Sequence, residues 1–553
     1  MNRNVESHFA HVPSVDIQRS KFDRSFSHKT SFNVGELIPF YLEEVLPGDT
    51  FNVKTSKVVR LQTLLTPIFD NMYLDTYYFF VPMRLVFNRT KEFFGENTAG
   101  AWVPQTTYTI PTISSPANGF EVGTIADYLG IPPKVAFSAT DEQAPIALPF
   151  RAYALICNEF FRDENLTDPL NIPLGDSNQT GSNGSNYIND VANGGKPFIV
   201  AKYHDYFTSC LPTAQKATQP VTFPLISGSK APVIAGTSNV TASGNPLSWF
   251  AKDGTAIATG QHTLYTASDK TTWADANATH SGSAQVVPAN LFADLTSSVG
   301  SVTVSQLRLA FQLQKYYERA ARSGSRYIEF IKGFFGVTSP DARLQRPEYL
   351  GGNRVPVTVH EVTNTAQAEN DFLGDLGAKS VTADIHDDFV HSFTEFGYII
   401  GVMCCRYDHS YPGGLNKMWK RKTVEQYYNP LFASLGEMPV YQDEIFATSS
   451  NLGTAEVFGY NEAWAEYRFK PSRVSAEMRP GITNSLASWH LGDNYQTAPT
   501  LSDSWIREDK TNVDRVLAVT SAKANQIFCD IYVQNIATRP MPLYSIPGLI
   551  DHH

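Results

Sequence analysis

The chain has 553 residues, of which 12% are aromatic and only 18% charged, and its net charge is −10. Average proteins carry about 25% charged residues, so much of this surface is expected to be buried against other chains. The acidic balance argues against a protein that coats nucleic acid through a cationic surface of its own, and five cysteines in 553 residues exclude a disulfide framework.

Residues 1–30 hold Arg3, Arg19, Lys21, Arg24 and Lys29 against Glu6, Asp16 and Asp23, a mildly basic arm. The N-terminus lacks the apolar core of a signal peptide, and no stretch approaches the roughly 18 apolar residues of a membrane span. Leu46-Pro47-Gly48-Asp49 carries Pro then Gly at the two central positions of a type II turn. Segments 51–65 and 72–82, rich in Val, Tyr and Phe, predict strands. Tyr153, Ile156, Phe160 and Phe161 fall near helical spacing and predict a helix over Phe150 to Asn165.

The sharpest compositional boundary follows. Between Glu164 and Arg308 there is not one Arg or Glu, where ordinary usage predicts more than about a dozen. Segment 217–303 is mostly Ser, Thr, Ala, Gly, Asn and Val, with turn chemistry between short β-like runs. Trp249, Phe250, Leu264, Tyr265, Trp273, Leu291 and Phe292 supply anchors that a solvating linker lacks. It is read as a β-rich insertion displayed at the surface. The flanks, 1–216 with 304–553, are then expected to form one discontinuous domain.

A second helix is predicted over Ser305 to Ser323, with Ser305 as cap and Gly324 as stop. Leu309, Leu313, Tyr316 and Ala320 form its apolar stripe. Arg308, Lys315, Arg319 and Arg322 lie on another face, either meeting DNA or an acidic neighbour, or simply solvated or paired within the chain. Segments 355–363, 396–407, 513–520 and 526–535 predict further strands. Cys404 and Cys405 are adjacent in one of them, so their side chains should point to opposite faces. Widely spaced strands joined by long excursions suit a barrel or sandwich with elaborate loops. The chain closes on Arg-Pro-Met-Pro-Leu-Tyr-Ser-Ile-Pro-Gly-Leu-Ile-Asp-His-His, 539–553. Three prolines exclude a helix or central strand. An extended strap seeking a groove is expected, with Leu543, Tyr544, Ile546 and Leu549 as anchors.

Motifs of catalysis are missing. There is no phosphate-binding G-x-x-x-x-G-K-[ST] loop and no G-x-S-x-G elbow. His360-Glu361 begins like a zinc-protease helix, but Asn364 stands where the second His belongs. A calcium-like loop starting at Asp176 has Tyr187 at its twelfth position. Asp384, His386, Asp387, Asp388 and His391 form the densest ligand-type cluster, better read as a solvated loop than a metal site. Neither a catalytic centre nor a cofactor is expected.

Several motifs in fixed order carry a resemblance. They include Gly35-Glu36-Leu37-Ile38-Pro39-Phe40, Glu44-Val45-Leu46-Pro47-Gly48-Asp49-Thr50, and Asn158-Glu159-Phe160-Phe161-Arg162-Asp163-Glu164. Others are Ser339-Pro340-Asp341-Ala342-Arg343, Pro347-Glu348-Tyr349-Leu350-Gly351-Gly352, Trp464-Ala465-Glu466-Tyr467-Arg468 and the closing strap. Together they resemble the major capsid proteins of the Microviridae, in the gokushovirus branch. The match covers both flanks and lapses over 217–303.

The resemblance implies a mainly β fold, an eight-stranded antiparallel jelly roll with long insertions and some helices. It implies a T=1 icosahedral shell of about sixty copies around circular single-stranded DNA. It also implies a small basic DNA-condensing protein as partner, assembly in the bacterial cytoplasm, and protrusions built from 217–303. On that reading Trp249, Phe250 and Trp273 are candidates for a patch facing a bacterial surface receptor, and Arg3, Arg19, Lys21 and Arg24 for a DNA-facing arm. The competing function class is a β-rich phage adhesin, or a carbohydrate-binding or carbohydrate-cleaving protein, with aromatics stacked on sugars. Particle size separates the two.

Overall fold

The computed structural model describes residues 17–97, 108–217, 221, 303–365 and 373–545, together with the backbone of six strands between 233 and 293. Two compact units emerge, Met1–Lys216 with Glu318–His553, and Ala217–Tyr317.

Eight strands organise the larger unit: β1 (Phe26–Phe32), β2 (Glu36–Val45), β3 (Thr50–Leu61), β4 (Met72–Pro82), β5 (Glu348–Pro356), β6 (Thr382–Ser392), β7 (Gly397–Tyr407) and β8 (Ile527–Arg539). One sheet runs β1-β8-β3-β6, with Ser20–Asp23 continuing the β1 edge along β8. The other runs β5-β4-β7-β2, with Phe198–Ile199 at the β2 edge. Every pairing in these sheets is antiparallel.

The residue patterns explain the layers. Along β8, buried Ile527, Cys529, Ile531 and Val533 alternate with partly or fully exposed neighbours. That is a strand with one face on the core and one in water. Along β7 nearly every side chain is buried, because core lies on both sides of it. Phe32, Phe40, Phe51, Tyr78, Met403, Cys405 and Ile531 belong to the core between the sheets. Phe79, Ile400, Val402 and Cys404 instead meet α1 (Leu148–Ile156) on the far side. Cys404 and Cys405 therefore do face opposite ways. Each fully buried apolar side chain of this kind contributes about 1.5–3 kcal/mol. A third cluster, with Phe207, Tyr411, Ile445, Phe458 and Trp505, lies beneath the long β7–β8 excursion.

Two glycines are dictated by geometry. Gly48 has φ +93° and Asp49 N–H bonds Leu46 O at 3.0 Å, the expected type II turn between β2 and β3. Gly352 follows a bulge in β5, and a Cβ there would stand 2.0 Å from Thr76 O.

Several expectations are corrected. The helix expected over 150–165 starts at Leu148 and widens into a π turn, Cys157–Phe161, before extending at Arg162. Segment 513–520 is no strand. It opens with a helical turn, Thr511–Asp514, because Val513, Val516 and Leu517 bury at helical spacing and not in alternation. Segment 355–363 is interrupted, with β5 ending at Pro356 and Val359–Thr363 pairing with Leu376–Ser380 in a separate two-stranded sheet. Helix α2 (Val304–Ser323) is capped by Thr303, not Ser305. Thr303 Oγ1 accepts from Gln306 N–H while Gln306 Oε1 accepts from Thr303 N–H, a reciprocal capping box. Gly324, at φ +95°, stops it as expected. Of its apolar stripe, Leu309, Leu313 and Tyr316 are exposed, and Ala321 is the buried position.

In the smaller unit, Trp249–Ala251, Ser281–Pro288, Lys270–Asp275 and His262–Ala267 pair in that order into a four-stranded sheet, and Val233–Ala235 pairs with Leu291–Ala293.

Candidate assembly and nucleic-acid surfaces

The N-terminal arm is partly tied down. Ser20–Asp23 is zipped to β8, with Lys21 opposite Thr538. Arg19 and Lys21 are exposed. Arg24 is not an independent cation, because it binds the buried Glu43 at 2.8 Å, and Arg539 binds the same carboxylate at 3.1 Å. Arg539 thereby ties β8 to β2, and Arg24 ties the arm to the same carboxylate. Arg3 lies outside the described residues.

At the other terminus Leu543 and Tyr544 are exposed, Tyr544 by 77%. Their own chain leaves these two strap anchors uncovered. Ile546 and Leu549 lie outside the described residues. Trp249 and Phe250 occupy a strand paired with Ser281–Pro288, and Trp273 stands opposite Leu264 in the neighbouring pair. Their side chains also lie outside the described residues.

Buried charge is neutralised in place. His409, 2% exposed, has Nδ1 2.8 Å from Asp493 and Nε2 2.8 Å from Glu508. Asp493 also accepts from Asn512 at 2.9 Å and Tyr495 at 2.5 Å, with Lys202 Nζ 3.5 Å away. Lys202 lies 4.6 Å above the Trp505 ring. Burial alone would depress the His409 pKa, but the two carboxylates override it and raise it to about 9. Burial alone would raise the Asp493 pKa, but His409 and Lys202 hold it well below the usual carboxylate range. A second knot joins Asp75 to Arg354 at 2.7 Å, Arg406 at 2.5 Å and the Tyr203 hydroxyl at 2.8 Å.

The acidic cluster on β6 is spent on cross-strand partners. Asp384 binds Lys57 at 3.1 Å, Asp387 binds Lys54 at 3.0 Å, and Asp388 accepts from Thr55 and faces His386. The cysteines are all free and buried, with Cys404 and Cys529 pushed up to about 12 by desolvation.

One surface was overlooked at the sequence level. Lys417-Met-Trp-Lys-Arg-Lys422 puts four cations and a tryptophan into six residues of an acidic chain. Trp419 is 70% exposed. Charge patterning along this run was the readable signal.

The buried charges are thus paired with one another, and Leu543 and Tyr544 are exposed. Comparison with known proteins supplies the family. Residues 10–549 match the family described as capsid protein (F protein). The chain is 41% identical over 541 residues to the capsid protein VP1 of Spiroplasma virus 4, covering 96% of each. It is 37% identical to the VP1 of Chlamydia phage 1 over 599 residues, and 37% to that of Bdellovibrio phage phiMH2K over 560. Each match spans 99% of this chain and 98% of the relative. The chain belongs to the phage F capsid protein family, in its gokushovirus branch, and its function is to form a virion capsid.

Proposed function

We propose that about sixty copies of this chain close into a T=1 icosahedral shell around circular single-stranded DNA. The scaffold is an eight-stranded jelly roll. The observation that supports this is the strand pairing: β1 with β8, β2 with β7, β3 with β6 and β4 with β5. That set is one antiparallel ribbon folded back on itself. Pairing β8 with β3 and β7 with β4 then winds the ribbon into two facing sheets. Residues 217–303 form a protrusion that meets a bacterial receptor, with Trp249, Phe250 and Trp273 as its candidate patch. The strap reaches a groove on a neighbouring copy, which suits the exposure of Leu543 and Tyr544.

Genome contact by the arm is weak, salt-sensitive and sequence-independent, through Arg19, Lys21 and, beyond the described residues, Arg3. Arg24 contributes little, being held by Glu43. A net charge of −10 leaves most phosphate to be neutralised by a separate small basic protein. Shells assemble in the bacterial cytoplasm without membrane insertion, and no described helix is long and apolar enough to cross a membrane.

Electron microscopy with mass measurement tests this. Closed particles near sixty times the 61.3 kDa chain are expected. Monomers or trimers alone, under conditions of phage assembly, would refute it and restore the adhesin.

A further inference from the structure

The overlooked run at 417–422 begins a surface that the arm and strap do not explain. Asn416 accepts from Met418 N–H at 2.9 Å and starts a 3-10 turn, Lys417–Lys420. Three of its cations are anchors. Lys417 Nζ donates to Pro439 O at 3.1 Å, and Lys420 binds Asp443 at 2.6 Å. Arg421 binds Glu466 at 2.9 Å and stacks 4.3 Å above Tyr467. These contacts hold the turn against the hairpin of Glu437–Tyr441 and Val457–Glu462 and the helical turn that follows it.

Anchored this way, the turn stands Trp419 up between two clefts. One, of about 610 Å³, is lined by Lys417, Trp419, Phe469, Lys470, Arg473 and Arg479 among others. The other, of about 460 Å³, is lined by Lys417, Trp419, Arg421 and Lys422 among others. Trp419 is a shared wall. Across both clefts seven cations face four carboxylates, Glu425, Asp443, Glu444 and Glu466. Asp443 and Glu444 are engaged by Lys420, and Glu466 by Arg421. Lys422, Lys470 and Arg473 are exposed and have no carboxylate partner among the described residues.

The geometry points to a binding surface for single-stranded DNA on 417–422 and 467–473. Unpaired cations track a phosphate chain, and an exposed indole offers a face on which a base stacks whatever its identity. A duplex could not use that face, because its bases are already stacked on one another. A second copy of this chain is the other occupant that charge would permit. It is disfavoured because lysine is depleted at protein interfaces, and this surface uses Lys417, Lys420, Lys422 and Lys470. The inference deepens the genome-enclosing reading above and rests on it for the biological ligand.

The test uses the purified full chain and a fluorescein-labelled oligo(dT), with anisotropy read across a salt series. A triple variant, Lys422→Gln, Lys470→Gln and Arg473→Gln, breaks no ion pair, and circular dichroism checks its fold. Its log-affinity slope against log salt is expected to be shallower by about two units, at about 0.7 per phosphate contact. Trp419→Ala is expected to weaken binding by about tenfold, the scale of one lost stacking partner, with the salt slope unchanged. Shell formation is scored separately by electron microscopy. Shells of the triple variant that form normally and hold less DNA support the inference. Variants that bind oligo(dT) like the parent chain but no longer form shells make this a subunit interface and overturn it. Loss in the triple variant alone, with Trp419→Ala unchanged, reduces the surface to a general polyanion site and overturns the stacking claim. If the parent chain forms no shells, the capsid-scale reading fails, while oligo(dT) binding still decides the surface.

Discussion

His409→Gln tests the buried charge centre. Both ring nitrogens of His409 lie 2.8 Å from a carboxylate oxygen, so both must carry protons and the ring is an imidazolium. Its pKa, raised to about 9 from an ordinary 6.5, corresponds to about 3 kcal/mol of stabilisation of the folded chain. Because the folded value is raised, that contribution is complete below pH 6.5 and is lost as pH climbs through 9. Asp493 is shifted the other way, so its contribution is present above pH 3.8 and is lost only in stronger acid. The centre therefore stabilises most between about pH 4 and 6.5.

Removing the cation leaves the buried Glu508 with no ion-pair partner among the described residues and Asp493 with Lys202 alone at 3.5 Å, and breaking a buried pair this way costs about 3–5 kcal/mol. Urea unfolding of the unassembled chain across pH 5 to 10 measures it. The parent should lose about 3 kcal/mol between pH 6.5 and 9. The variant should be destabilised at pH 6 and converge on the parent near pH 10. A gap between the two that stays constant with pH would refute the imidazolium assignment. So would a variant as stable as the parent at pH 6.

Three other outcomes are expected. Native protein at pH 8 should leave all five cysteines unmodified by a thiol reagent, and the denatured chain should react fully, because every thiol is buried; rapid labelling of the native chain would contradict the packing. Deleting 540–553 should abolish shells while leaving a folded monomer, since Met541, Leu543 and Tyr544 are exposed and interface anchors of this kind are each worth more than about 1 kcal/mol; infectious particles from the deletion would count against the strap. Exchanging 217–303 with the matching segment of a relative that infects another host should preserve assembly and transfer adsorption; unchanged adsorption to the original host would leave the segment a structural spike.

Local chemistry was legible in the sequence wherever neighbours in the chain decide it. Pro47 and Gly48 announce their turn, Gly324 ends α2, and alternation along β8 and the unbroken apolar run of β7 reveal one wet face and none. The long motifs that resemble phage capsid proteins pointed to the family whose match spans residues 10–549.

What required the fold was pairing between residues distant in sequence. His409 meets partners 84 and 99 positions away, and nothing local distinguishes those carboxylates from the other acids of the chain. Arg24 looked like a free basic group until β1 and β2 brought Glu43 to it. The run at 417–422 was visible as composition. Only the packing showed that Lys420 and Arg421 are spent on Asp443 and Glu466 while Lys422 stays unpaired. The apolar stripe of α2 was correctly spaced, yet spacing says only which side chains share a face. Whether that face is covered depends on what else the chain, or another chain, can bring against it.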